Sequence, residues 1–144
     1  MKPDIVNHPP HYTSHPSGME CIQLSRLFPF SLGNFIKYLW RSGEKDDVQQ
    51  ERRKARWYLA DYMDNMPDIR FDIDPIMELS QEFISRMEGK PMRPEDEILV
   101  NFFKGFADNS GSDVMLNNFL GPIFEDLDQL IEDNEDDAPQ TANQ

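Results

Sequence analysis

The sequence predicts an all-α fold of roughly five or six helices, with an extended Pro/His-rich N-terminal arm and a disordered acidic C-terminal tail. Three observations predict it. Apolar residues recur at i, i+3, i+4 and i+7 through most of the chain. The recurring segments end at Pro or Gly. Alternation of the kind a strand shows is confined to Asp68–Asp74, where an extended linker suits a helical context better than a short strand.

The elements follow in order. Residues 1–17 carry four prolines (Pro3, Pro9, Pro10, Pro16) among His, Tyr, Asn and Ser, which disfavours a helix and predicts an extended or turn-rich arm. A first helix is expected over 18–28, with Met19, Ile22 and Leu24 or Leu27 inward, broken by Phe28-Pro-Phe30. Ser31 is a candidate N-cap for the next helix and Gly43 a candidate C-terminal stop. Glu44–Asp47 is a charged turn. A longer helix should then run to about Met66, buried along Ala55, Leu59, Tyr62 and Met66, with Pro67 ending it. Pro75–Met87 repeats the pattern at Ile76, Leu79, Phe83 and Met87. Pro94-Glu-Asp-Glu97 is a strong helix start, Pro at the first position and acids in the first turn; Ile98, Phe102, Phe103 and Phe106 follow on one face. Val114 to about Ile131 is the last helical region, and Gly121-Pro122 is a point where it could be interrupted.

At 144 residues one domain is the natural expectation: residues 1–132 as a helical unit (5–66 the ligand-binding part, 67–132 an extension) and 133–144 as the tail. Ten Phe, eight Met, four Tyr and two Trp can fill its core. No apolar run approaches the length that spans a membrane, and no secretory signal is visible at the N-terminus. A single Cys excludes an internal disulfide framework and fits a reducing cytosol, so a cytoplasmic protein is expected.

Net charge is −13, distributed unevenly. Residues 1–60 hold nine Lys/Arg against six Asp/Glu, a balance of +3; residues 61–144 hold five against twenty-one, a balance of −16. The acidic half opposes general nucleic-acid binding, which needs clustered positive charge. The basic half is the place for a small anionic ligand.

The helix expected after Ser31 has two faces. Leu32, Phe35, Ile36 and Leu39 form an apolar stripe. Asn34, Lys37, Tyr38 and Arg41 form a second stripe of hydrogen-bond donors, which suits an anion and above all a phosphate; the plainer reading is a solvated face. Lys45, Arg53 or Lys54 from the following turn and helix would join Lys37 and Arg41 in a phosphate clamp, Arg41 as a bidentate donor and Lys37 as a point charge. Asn34 and Tyr38 could hold a base or sugar, and Trp40 or Trp57 could stack on a base, against core packing for both Trp.

Three blocks, in order, carry a family resemblance: Val6-Asn-His-Pro-Pro-His-Tyr-Thr13 with Gly18-Met-Glu-Cys-Ile22; Leu32-Gly-Asn-Phe-Ile-Lys-Tyr-Leu-Trp-Arg-Ser-Gly43; and Arg53-Lys-Ala-Arg-Trp-Tyr-Leu59. Together they resemble the SaV-like domain of bacteriophages, long catalogued as a domain of unknown function, over about residues 5–62. Asn7, His8, Pro9, His11 and Tyr12 fill its first motif. Gly33, Asn34, Lys37, Tyr38, Arg41 and Gly43 fill the second, and Glu51, Lys54, Ala55, Tyr58 and Leu59 the third. Arg52 departs from it, standing where an apolar residue is expected.

The family includes the nucleotide kinase of T7-type phages, so the resemblance implies a phage protein that binds deoxynucleotides and transfers a phosphoryl group to a deoxynucleoside monophosphate. No Gly-x-x-x-x-Gly-Lys-Ser/Thr loop is present, which excludes a P-loop enzyme. The resemblance brings the arm into the site. His8 and His11 would contact phosphate, or one would serve as general base or transient nucleophile, beside Lys37 and Arg41 as catalytic candidates. Asn7, Tyr12 and Tyr58 join Asn34, Tyr38, Lys45 and Lys54 as nucleotide contacts. Two other readings of the His remain open: docking of the arm on the helices, and metal ligation with His15 or Cys21, although paired cysteines are lacking. No metal site is assigned. Mg²⁺ accompanying the nucleotide is the one cofactor in view, with Glu20 and Glu51 as carboxylates; Glu20 also reads as an ordinary first-turn acid. Asp61 and Asp64 raise a minor alternative, an all-α nucleotide pyrophosphohydrolase, but no paired Glu-x-x-Glu helix accompanies them. A homo-oligomer would deepen the shallow pocket of one helix pair. The competing class is a non-enzymatic interaction or inhibitor protein that engages a host protein through its acidic tail.

Overall fold

The computed structural model describes residues 14–44, 47–65, 72–108 and 113–135, the side chains of 113–117 excepted. The expected arm at 1–13, the Asp68 segment up to residue 71 and the tail beyond 135 lie outside the described residues. Among the described residues six helices follow one another: α1 Cys21–Ser25, α2 Phe30–Trp40, α3 Val48–Asn65, α4 Ile73–Met87, α5 Pro94–Asp108 and α6 Asp113–Asp133. Among the described residues there is no strand, so the chain is all-α. No helix among the described residues is long and apolar enough to cross a membrane.

Each helix starts and stops for local reasons. Pro29 takes the N-cap position of α2, so Ser31 lies inside the first turn, where its hydroxyl donates to Asp61 of α3 at 2.5 Å. At the other end Gly43 adopts φ +86°, a conformation costly to residues with a Cβ. The α4 start is capped by Asp72, whose carboxylate accepts from the Asp74 amide. Pro94 opens α5, where its missing N–H costs nothing.

Besides the N-cap of α2, which is Pro29 rather than Ser31, two readings are corrected. The first helix is short, and Ile22, expected inward, is 50 % exposed; one short turn between Glu20 and Arg26 buries Met19, Cys21 and Leu24 and turns Ile22 out. The last helix runs unbroken through Gly121-Pro122. Leu120, Ile123, Leu127 and Ile131 form one buried stripe across the proline, and their packing outweighs the lost backbone bond.

The helices pair as α2 on α3, α4 on α5 and α5 on α6, and α6 returns onto α3. Their shared centre is largely aromatic. Phe102 lies 5.1 Å from Phe35 and 5.0 Å from Phe106, and Phe83 lies 4.9 Å from Phe103. The predicted stripe of α2 is fully used: Leu32, Phe35, Ile36 and Leu39 are all 0 % exposed.

Two buried polar joints cross this core. In the first, the Ser17 amide donates to His15 Nδ1 at 3.1 Å, which leaves His15 Nε2 as the donor to Asp96 at 2.7 Å. Asp96 also accepts two bonds from Arg93, and Arg93 donates to the carbonyls of Trp40 and Ser42. Trp40 closes α2 and Ser42 lies two residues beyond it, so these carbonyls stand at the negative end of the helix and face a cation favourably. In the second, Arg52 of α3 pairs with Glu95 of α5 at 2.6 Å, while Gln49 accepts from Arg52 and donates to the Ile131 carbonyl of α6. Arg52 is 8 % exposed: the charge stands at a core position because the acidic half supplies its partner.

Candidate functional site: a cationic aromatic face on α2 and α3

Tyr38 and Arg41 of the donor stripe meet α3, and the two helices build one surface. Tyr38 is its centre. The Lys37 ammonium lies 4.6 Å from the Tyr38 ring centroid, the Arg41 guanidinium 4.7 Å and the Lys54 ammonium 5.4 Å. Contacts of this kind contribute about 0.5–1 kcal/mol each at exposed sites. Their larger consequence is positional, since three cations from two helices meet on one half-buried ring. Tyr58 stacks beside it, 5.7 Å away and 13° from parallel. Lys54 and Tyr58 are one helical turn apart on α3, so their side chains share a face.

The aromatic surface continues outward. Phe30 meets Tyr58 edge-on at 5.9 Å and Trp57 meets it at 5.1 Å. Phe30 is 76 % exposed and Trp57 61 %. Large apolar side chains this open, beside clustered cations, are the feature of the molecule that core packing leaves unexplained. Phe30 is absent from the sequence-derived candidates because Phe28-Pro-Phe30 reads as a helix breaker. Trp40 is ruled out for stacking on a ligand: it is 1 % exposed and stacks on His15 at 4.2 Å.

The candidate residues fall into three groups. Lys37, Tyr38, Lys54 and Tyr58 are brought together on the surface, with Asn34 one turn away. The Asn34 amide nitrogen donates to the Phe30 carbonyl at 2.9 Å. Arg41 joins them through its contact with Tyr38, yet is only 6 % exposed and donates from Nε to the Glu51 carboxylate at 3.3 Å. Glu51 is itself fully buried, so this acid holds Arg41 against the face. Asn7, His8, His11, Tyr12 and Lys45 lie outside the described residues.

The basic cluster of α3 is divided in the same way. Arg53 reaches Glu135 at 2.6 Å and Arg56 reaches Asp128 at 2.7 Å, while Arg52 pairs with Glu95. Acids of the second half therefore engage three of the four cations at 52–56, and Lys54 is turned to Tyr38.

The acids considered for Mg²⁺ have other work. Glu20 caps α1 in a reciprocal pair with Gln23, and Glu51 holds Arg41. These donors do not fit a protein-held Mg²⁺, and among the described residues no group of three or more His, Cys, Asp and Glu is placed to hold a metal ion. His15 uses both ring nitrogens inside the first polar joint. Asp61 accepts from Ser31 and from Asn65.

Residues 6–60 match a family described as a protein of unknown function (DUF3310). The match covers α1, α2 and most of α3, under half of the chain, and includes every residue of the cationic aromatic face. No curated protein matches the chain. No solved structure matches it.

Proposed function

We propose that this chain binds a deoxynucleotide on the α2–α3 face and acts as a nucleotide kinase without a P-loop. The observation that carries the reading is the convergence of Lys37, Arg41 and Lys54 on Tyr38, beside exposed aromatic rings, in a chain of net charge −13. Cations held together in so acidic a molecule favour an anion, and flanking aromatic rings favour a planar group attached to it. Lys37 and Lys54 would neutralise phosphate charge, Arg41 would set their spacing through Tyr38, and the exposed rings would take the base.

The transfer step comes from the resemblance to the SaV-like phage domain. A phosphate oxygen of a deoxynucleoside monophosphate attacks the γ-phosphorus of a nucleoside triphosphate, the bond from that phosphorus to the β-bridging oxygen breaks, and two diphosphates result. Such a step needs positioning and charge neutralisation more than covalent chemistry. Any Mg²⁺ would arrive on the nucleotide phosphates, as part of the substrate.

The test is thermal unfolding of the full chain against a panel of nucleoside mono-, di- and triphosphates, with and without Mg²⁺. A ligand at 100 times its dissociation constant stabilises by about 2.7 kcal/mol. The expected result is a shift selective for certain deoxynucleotides and lost in Lys37→Ala, whose side chain makes no ion pair among the described residues. Arg41→Ala is the poorer probe, because it also removes a cation paired with the buried Glu51. Absence of a shift with every nucleotide overturns the reading.

A further inference from the structure

A groove of about 210 Å³ opens between α1 and α2, beside the Tyr38 cluster. Ile22, Phe28 and Phe30 give it apolar walls, Asn34 lines its side, and Arg26 and Lys37 stand at it as cations. Phe30 and Ile22 are the two wall residues left widely exposed, at 76 % and 50 %. Arg26 donates from Nε to the Ile22 carbonyl and pairs with no carboxylate among the described residues. Asn34 has committed its amide nitrogen to the Phe30 carbonyl, which orients the group and leaves Oδ1 as an acceptor.

Size and charge select the occupant. The volume falls below the roughly 300–1,000 Å³ typical of pockets that enclose a drug-sized ligand, a size that suits a single ring system. Apolar walls with an amide acceptor suit a planar heterocycle bearing an N–H. The cations favour an anionic substituent on that ring. Lys37 belongs both to this groove and to the Tyr38 cluster, so it stands where ring and anion would join.

We infer that this groove is the base subsite of the nucleotide site: a nucleobase lies against Phe30 and Ile22, donates an N–H to Asn34 Oδ1, and directs its phosphate past Lys37 toward Lys54. The inference rests on the nucleotide reading above and goes beyond it by assigning the base to the α1–α2 side. The alternative within that reading is stacking on Trp57, which also meets Tyr58 edge-on.

The experiment is calorimetric titration of the full chain with the four deoxynucleoside monophosphates and with deoxyribose 5-phosphate, which carries sugar and phosphate but no base. The wild-type chain is expected to bind at least one monophosphate ten-fold or more tightly than the sugar phosphate. Phe30→Ala should abolish that preference and leave sugar-phosphate affinity within about two-fold, while Trp57→Ala should preserve it. Phe30 is largely exposed, so its loss spares the core; Ile22→Gln tests the same wall if Phe30→Ala does not fold. A base preference that survives both wall variants, or that disappears in Trp57→Ala, overturns the subsite and leaves nucleotide binding standing. A wild-type chain that binds no monophosphate overturns both.

Discussion

Asp96 shows how single residues decide this molecule. Its side chain is fully buried. Burial disfavours its charge, but hydrogen bonds from Arg93 and His15 outweigh burial and hold its carboxyl down at about 2, from an ordinary 3.8. A carboxylate whose folded pKa is depressed contributes stability that is present above its unfolded pKa and is lost as pH falls through the folded one. Asp96→Asn should therefore cost about 3 kcal/mol near neutrality, within the range for breaking a buried pair. The gap between variant and wild type in denaturant melts should close from about pH 4 to about pH 2; a gap independent of pH would refute the assignment. Cys21 gives a simpler check. Burial pushes its thiol up to about 12, and the thiolate is the reactive form. The native protein should resist thiol reagents at neutral pH and react once unfolded, as colorimetric titration would show.

At the scale of the element, α2 reveals why a glycine lies inside a helix. A Cβ on Gly33 would stand 2.8 Å from the Ser25 carbonyl oxygen, and that neighbour is backbone, which cannot swing away. Gly33→Ala should destabilise by about 1–3 kcal/mol, as overpacking does, despite the better helix propensity of Ala. Differential scanning calorimetry would measure it, and a raised Tm would count against close packing of α1 on α2. Gly33 is thus explained by helix contact rather than by ligand approach. α3 gives the complementary case. Arg52→Ala leaves Glu95, 3 % exposed, without its cation, and should cost about 3–5 kcal/mol. Arg53→Ala removes a pair that is half exposed at both ends and should cost under about 1 kcal/mol. Denaturant midpoints for the two variants separate these outcomes.

For the whole molecule, the part that carries the candidate site does not hold itself together. Phe35 packs on Phe102 of α5, His15 bonds Asp96, and Arg93 covers the end of α2. A fragment ending at residue 65 would leave those groups without their partners and expose the apolar stripe of α2 to water. It should show little helical signal by circular dichroism and no cooperative melt, and a cooperative melt would show that α1–α3 fold without the second half. The charge asymmetry between the halves has its physical meaning here: cations of α3 meet acids of α5 and α6 across the core and along its edge.

Much of this was legible in local pattern. Helical period and Pro/Gly punctuation placed α2 through α6 to within a few residues, because burial of one stripe per helix depends on spacing that sequence displays directly. The same spacing set Asn34, Lys37, Tyr38 and Arg41 in one row, and set Lys54 with Tyr58. Tertiary structure alone decided which charges face solvent and which face the core. Glu95 and Asp96 read as first-turn acids, and Arg52 as a departure from pattern, since nothing in a linear sequence says that residues about forty apart form a buried pair. It also decided that Phe30 lies open while Trp40 is enclosed. Both are aromatic residues on the same helix, and which side meets a neighbour depends on how α1, α4 and α5 pack around it, a matter of long-range geometry that local periodicity does not contain.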